Sequence, residues 1–238
     1  MMPPVAIKSD SLNAGQANAL ATSLDLRLLE DHQMPAGPFL LEFKGDRLML
    51  HMTGSPRFRP WIVDLRKHRR SKGRDPLLRA MGPGAGHVVD ATAGWCVDAV
   101  HLAVSGFRVT AVEQDRVVVA MLKHALDQPV NRELVDRMEL VHGDSTRVIP
   151  GIRPRADVIY LDPMYPGHPK SPAPRKGMRI LRALVGPGQD TRDLFDQAMR
   201  HAKKRVVVKR PHHADPIASG KVGETRGKLV RFDIYKPH

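Results

Sequence analysis

From residue 87 onward the chain alternates short apolar runs with stretches whose apolar residues recur at helical spacing. The runs cover 87–90 (HVVD), 108–113 (RVTAVE), 138–142 (MELVH), 157–162 (DVIYLD), 205–210 (RVVVKR) and 229–235 (LVRFDIY), and helices are expected near 96–105, 115–127 and 190–203. Short continuous runs suit strands buried on both faces, and their alternation with helices predicts an α/β fold with a mostly parallel sheet covered on both sides. Such a sheet binds ligands beyond the carboxyl ends of its strands, near the point where strand order reverses. Candidate chemistry should therefore follow each run.

Upstream the period changes. Residues 38–52 read as a hairpin with Gly45-Asp46 as a two-residue turn, which pairs Phe43 with Leu48, Leu41 with Leu50 and Phe39 with Met52. One face of that hairpin is wholly apolar and must be covered, by an amphipathic stretch at 19–30 or by the following domain. A Gly/Pro-containing seam at 81–87 separates the two regimes. The expectation is a small N-terminal α/β cap over 1–70 and a larger α/β domain over 71–238, without internal repeats.

Charge changes the picture next. Lys and Arg number 38 against 25 Asp and Glu, a net charge of +13, so long-range attraction to a polyanion is expected and nucleic acid is the first candidate. No apolar stretch approaches the roughly 20 residues of a membrane-spanning helix, and the N-terminus shows no apolar segment behind a charged start. The single cysteine, Cys96, excludes an intrachain disulfide and suits a reducing compartment, so a cytoplasmic location is expected. The 12 histidines show no metal-ligand spacing, and no metal is expected. Cys96 has no adjacent cation to activate it, which favours a packing role.

Five strand ends carry the candidate chemistry. After the first run comes a turn of small residues containing Asp90, Thr92 and Gly94, with Asp98 just beyond; small residues let backbone approach a ligand at a helix N-terminus. Glu113 ends the second run at close to the roughly 20-residue interval where a carboxylate meets a ribose diol in nucleoside-binding α/β folds. The turn lacks a P-loop pattern and the three glycines of a dinucleotide fingerprint. Asp98 would repel phosphates but suits the ammonium group of a methionine moiety, which favours S-adenosylmethionine over NAD. After the third run, Asp144 and Ser145 offer a carboxylate and a hydroxyl for the adenine side.

The fourth run ends in Asp162-Pro163-Met164-Tyr165. This resembles the Asp/Asn-Pro-Pro-Tyr/Phe signature of methyltransferases acting on exocyclic base amines, with Met164 in place of the second proline. A base amine is a poor nucleophile because its lone pair is delocalised into the ring. Accepting its hydrogens on the Asp162 carboxylate and the Pro163 carbonyl localises that lone pair, and Tyr165 could stack on the base. The fifth run ends in Lys209 and Arg210, cations at the same sheet edge that could hold phosphate or a base edge.

Segments from residue 88 to 235 (VVDATAGWCVDAV, YLDPMYP, LVGP, KRVVVKRP, RFDIY) resemble the ribosomal RNA small subunit methyltransferase J family. The resemblance implies a class I S-adenosylmethionine-dependent methyltransferase fold with a mostly parallel seven-stranded sheet. It also implies cofactor contacts at Val97, Asp98, Glu113, Gln114, Asp144, Ser145 and Asp162, and methylation of guanine N2 in 16S ribosomal RNA of the small subunit. Two basic segments flank the site in sequence and could track RNA: one holds Lys67, Arg69 and Arg70, the other Lys170, Arg175, Lys176 and Arg179. The stretch 166–179, rich in Pro and cations, is expected to be a mobile loop over the substrate. Adenine N6 remains open as the acceptor amine, as does a non-catalytic RNA-binding protein with a vestigial pocket. Oligomeric state is not legible.

Overall fold

A computed structural model of the chain describes residues 5–30, 32–54, 59–67, 75–164, 176–186 and 191–237. The expected domain boundary at 70/71 lies outside them, as do Arg69, Arg70, Tyr165, Lys170 and Arg175.

The N-terminal part comprises β1 (Val5–Ser9), α1 (Ala14–Leu24), β2 (Arg27–Leu28), β3 (Phe39–Lys44) and β4 (Arg47–Met52). These strands form a sheet of order β2-β1-β3-β4, parallel except for the β3–β4 hairpin. The hairpin register is the one expected, with Phe43 opposite Leu48, Leu41 opposite Leu50 and Phe39 opposite Met52. Gly45 takes φ 57° at the turn, where a side chain would be strained, and its N–H donates to Asp10 Oδ2 at 2.9 Å. The helix expected at 19–30 instead spans α1 and stops at Leu24, because Asp25 adopts the left-handed conformation (φ 49°) and its N–H caps the Ala21 and Thr22 carbonyls. β1 carries no alternation long enough to be read from sequence.

The larger part follows as α2 (Pro76–Met81), β5 (His87–Asp90), α3 (Val97–Val104), β6 (Arg108–Glu113), α4 (Arg116–Leu126), α5 (Arg132–Val135) and β7 (Met138–His142). It continues with α6 (Ser145–Val148), β8 (Val158–Leu161), α7 (Lys176–Val185), α8 (Thr191–His201), β9 (Arg205–Pro211), β10 (Lys221–Arg226) and β11 (Val230–Tyr235). Its seven described strands run in the order β10-β11-β9-β8-β5-β6-β7; β9 through β7 are parallel, and β11 is antiparallel to both its neighbours. This is the α/β, Rossmann-like arrangement expected. The expected loop at 166–179 gives way to α7 at Lys176, since Ile180, Leu181 and Leu184 form one buried stripe that the core can cover.

Alternate strand residues feed two cores. Val88, Val109, Val158, Tyr160 and Val207 pack on one face with α3, α4 and α7, whereas Val89, Val112, Ile159, Leu161, Val206 and Val208 pack on the other with Leu194, Phe195 and Ala198 of α8. The hairpin's apolar residues Phe39, Leu41, Phe43, Leu48 and Leu50 join the first core, so α1 and the larger domain both cover that face. Each such buried side chain contributes roughly 1.5–3 kcal/mol of transfer free energy. Phe43 meets His124 of α4 edge-on, with ring centroids 5.6 Å apart.

Candidate functional site

β5 is central, with β8 on one side and β6 on the other, so the crossovers diverge at its carboxyl end and leave a crevice there. A cavity of about 730 Å³ occupies it. Asp90, Thr92, Gly94, Val97, Asp98, Glu113, Gln114, Ser145, Asp162, Pro163 and Lys209 all line this space. Five strand ends, distant in sequence, are thus brought to one place.

The β5–α3 turn is shaped by two left-handed residues, Gly94 (φ 52°) and Cys96 (φ 56°). A Cβ at Gly94 would stand 3.0 Å from the Leu181 side chain, so the turn passes close beneath α7. Gly94 N–H donates to Glu113 Oε2 and Asp115 N–H to Glu113 Oε1, each at 2.8 Å. Asp115 in turn accepts the Val117 and Val118 N–H groups at 2.9 Å and starts α4. Burial pushes the Glu113 carboxyl up to about 6 against the pull of these amides. Burial likewise pushes Asp90, 2% exposed, up to about 8, so it is largely protonated at neutral pH.

Across the cavity, one ammonium bridges two carboxylates. Lys209 Nζ donates to Asp98 Oδ2 at 2.8 Å and to Asp162 Oδ2 at 2.9 Å. The buried Tyr160 hydroxyl donates to the same Asp98 oxygen at 2.6 Å, and Asp162 N–H donates to Thr92 Oγ1 at 2.6 Å. Burial alone would push the Lys209 ammonium down, but Asp162 and Asp98 reverse that and hold it above the usual lysine range. Lys209 is the cation on this wall, and the carboxyl groups of Asp98, Asp162 and Asp90 around it outnumber it.

S-adenosylmethionine fits these residues. Glu113 retains lone pairs for a ribose diol, the turn at Gly94 exposes backbone to close approach, and a negative wall suits a sulfonium with an ammonium nearby. Phosphate groups would meet carboxylates there. Among the described residues no group of three or more His, Cys, Asp or Glu is arranged to hold a metal ion.

Other candidates are placed differently. Asp144 does not line the cavity; it caps α6, accepting Thr146 N–H at 2.9 Å and Thr146 Oγ1–H at 2.7 Å. Ser145 commits its hydroxyl hydrogen to the Ala91 carbonyl at 2.7 Å. Lys209 lies inside the pocket rather than on an open phosphate-binding surface, and the Arg210 guanidinium donates to the Asp215 carbonyl. Lys176 donates to the Pro60 carbonyl at 3.1 Å, Arg179 is exposed on α7, and Lys67 ends a short helical turn at Leu65–Lys67.

Sequence reasoning missed the pocket's aromatic wall. Trp61, Ile62, Val63 and Asp64 reach it from the N-terminal part, and Gly177, Met178 and Leu181 from α7. Trp61 and Trp95 lie 5.6 Å apart, Trp95 Nε1–H donates to the Gly177 carbonyl at 2.8 Å, and a Cβ at Gly177 would collide with the Trp61 ring. The signal available was composition: these are the chain's 2 tryptophans.

Comparison with known proteins adds a family. Residues 21–237 match the family model described as "Putative SAM-dependent methyltransferase". The ribosomal RNA small subunit methyltransferase J of Thioalkalivibrio sulfidiphilus is 38% identical over 92% of this chain and 92% of its own. That of Aeromonas hydrophila is 38% identical over 95% of each. The crystal structure of a SAM-dependent methyltransferase from Neisseria gonorrhoeae superposes with TM-score 0.76 at 31% identity, covering 98% of this chain and 96% of that one.

Proposed function

The chain belongs to the ribosomal RNA small subunit methyltransferase J family of S-adenosylmethionine-dependent methyltransferases, and on that premise we propose that it methylates the exocyclic N2 amine of a guanosine in 16S ribosomal RNA. The observation that carries the reading is the meeting, in one cavity, of the Asp162-Pro163 strand end with Asp98 and Glu113.

S-adenosylmethionine supplies an electrophilic methyl group on sulfur. When it is bound, Glu113 would accept the ribose hydroxyls and Asp98 would hold the methionine ammonium, with Val97 and Gln114 lining the same cavity. Asp162 and the Pro163 carbonyl accept the two amine hydrogens and aim the nitrogen lone pair into the cavity. No covalent intermediate on the protein is required. Asp162 acts chiefly as a hydrogen-bond acceptor, because the amine becomes strongly acidic only once methylated. Tyr165, directly after Met164, supplies the stacking face for an extruded base. The net charge of +13, with Lys176, Arg179 and the segment through Lys67, Arg69 and Arg70, draws the RNA backbone toward the pocket. No helix among the described residues is long and apolar enough to cross a membrane; action on ribosomal RNA would place the enzyme in the cytoplasm.

The test is methyl transfer from labelled S-adenosylmethionine to 30S particles and to free 16S RNA, both taken from a strain lacking the enzyme, followed by nucleoside mass spectrometry. N2-methylguanosine is the expected product. N6-methyladenosine alone would move the acceptor to adenine, and failure to bind millimolar cofactor by calorimetry would leave an RNA-binding protein with a vestigial pocket.

A further inference from the structure

Lys209 is the chemically distinctive group in the cavity that the proposed reaction does not use. It sits two residues before the end of β9, with a side chain 24% exposed, between carboxylates 21% and 30% exposed. A lysine serving as a phosphate clamp would project its ammonium outward to its ligand. This one instead spends two of its three hydrogens on Asp98 and Asp162.

We propose that Lys209 is a positioning residue: by bridging Asp162 to Asp98 it fixes the orientation and the ionised state of the carboxylate that receives the acceptor amine. The proposal rests on the reading of Asp162 given above. Both bridging bonds use Oδ2, so Oδ1 of each carboxylate has no hydrogen-bond partner among the described residues and is available to a ligand. Asp162 is pinned at both ends, its backbone N–H on Thr92 Oγ1 and its Oδ2 on Lys209, which leaves the side chain little rotational freedom.

The charged and titratable groups around Asp162 are Asp90 from β5, Asp98 from α3, Tyr160 from β8 and Lys209 from β9. Three of these four are acids, and Lys209 is the cation that opposes them. Without it, the cluster would lower its energy by protonating a carboxylate. A protonated Asp162 would offer an O–H where the amine needs an acceptor. Lys209 therefore links the cofactor side to the acceptor side: the group beside the methionine ammonium also sets the state of the group beside the base.

The experiment compares the full-length wild type with Lys209→Met, which keeps the aliphatic stem, and Lys209→Arg, which keeps the charge. In Lys209→Met, kcat at saturating cofactor should fall about 10²-fold, while the KM for RNA changes by less than about threefold. The acid limb of the kcat–pH profile should move up by about one pH unit or more. Lys209→Arg should return the limb to its wild-type position. An unchanged kcat and acid limb would overturn the proposal. So would a raised KM for RNA with kcat intact, since that marks a phosphate contact.

A second arm needs no turnover. The 13C resonance of the Asp162 carboxyl, titrated in the ligand-free protein, should move to higher pH by about one unit in Lys209→Met, and an unmoved titration overturns the proposal. Should wild type fail to methylate ribosomal RNA, the functional reading falls while this titration still decides the role of Lys209. Lys209→Gln replaces Lys209→Met if thermal melting shows that the latter is unfolded.

Discussion

The two halves of the pocket hold their carboxylates by different means. On the nucleoside side, Glu113 is gripped by backbone: both oxygens accept amide hydrogens, from Gly94 and Asp115, and among the described residues no cation bonds to it. On the acceptor side, the Asp162 carboxylate is held by a side chain, the Lys209 ammonium, and its backbone N–H by another, the Thr92 hydroxyl. A backbone grip comes with the fold and survives almost any neighbouring substitution. A side-chain grip lasts only while those residue types stay in place. The half proposed for the nucleoside is therefore the generic part of the site, and the half proposed for the base amine is tunable by single changes.

That contrast breaks most visibly at Asp162. Asp162→Ala should lower kcat by about 10²–10⁴-fold, because the amine loses its charged hydrogen-bond acceptor, and it leaves Lys209 with Asp98 alone. Cofactor affinity should change far less, since Glu113 and the Gly94 turn do not depend on Asp162. Single-turnover methyl transfer alongside calorimetry separates the two. Comparable losses in both would mean that the halves are not independent.

Glu113 gives the converse. Glu113→Gln presents an amide N–H₂ to one of two backbone donors at a position 7% exposed, and removes the charge offered to the diol. The cofactor dissociation constant should rise roughly 10- to 100-fold, from about 1.5–3 kcal/mol for a charge-assisted bond, with kcat at saturating cofactor largely kept. The pH dependence follows in sign. Diol binding prefers the ionised form and the carboxyl titrates at about 6, so wild-type affinity should fall about tenfold from pH 7 to pH 5, and this slope should flatten in Glu113→Gln. Folding runs the other way. The folded value lies above the unfolded one near 4.5, so the Glu113 contribution to stability is fully present below that value and is lost as pH rises through about 6. Affinity falling while this stability contribution grows identifies Glu113 as the titrating group.

The same division explains what the sequence discloses. β5 and β6 stand where their apolar runs place them, at His87–Asp90 and Arg108–Glu113, because a strand buried on both faces is a short apolar run bounded by turn residues, and the half-exposed edge strand β7 stands at its run over Met138–His142. The acids that follow them are legible for the same reason: a strand end is a fixed address. β10 is not legible. It is an edge strand whose Val222 is 64% exposed and whose Lys221 pairs with Glu224 and Asp233, so it shows no apolar period. α7 hides behind a Pro- and cation-rich prefix, although Ile180, Leu181 and Leu184 carry its buried stripe. Within the site, Asp90, Asp98, Glu113 and Asp162 are readable one strand at a time. The partners of Lys209 are not, because its bridge joins side chains from three separate segments that only the sheet order brings together. The Trp61 wall, arriving from the N-terminal part, is hidden for the same reason. Asp144 is a strand-end acid in the expected place whose Oδ1 also starts a helix, a second role that the sequence pattern does not separate from the first.

Cys96 supplies the smallest expected effect and the sharpest check on the backbone side of the comparison. It lies in the cofactor turn, fully buried, with a left-handed backbone at φ 56°. A chemically active cysteine there would need its thiolate, yet burial, with Asp90 and Glu113 nearby, pushes the thiol well above its ordinary range. The side chain thus works as packing, and the turn's contact with Glu113 is made by the Gly94 backbone N–H. Cys96→Ala should keep methyl transfer and cofactor affinity within about twofold and lower stability by about 1 kcal/mol, the range for removing one small buried group. Iodoacetamide should leave the native wild-type thiol unmodified and label it only once the protein unfolds. Rapid labelling of the folded protein, or loss of cofactor binding in Cys96→Ala, would put Cys96 side-chain chemistry into a turn that meets Glu113 through its backbone N–H.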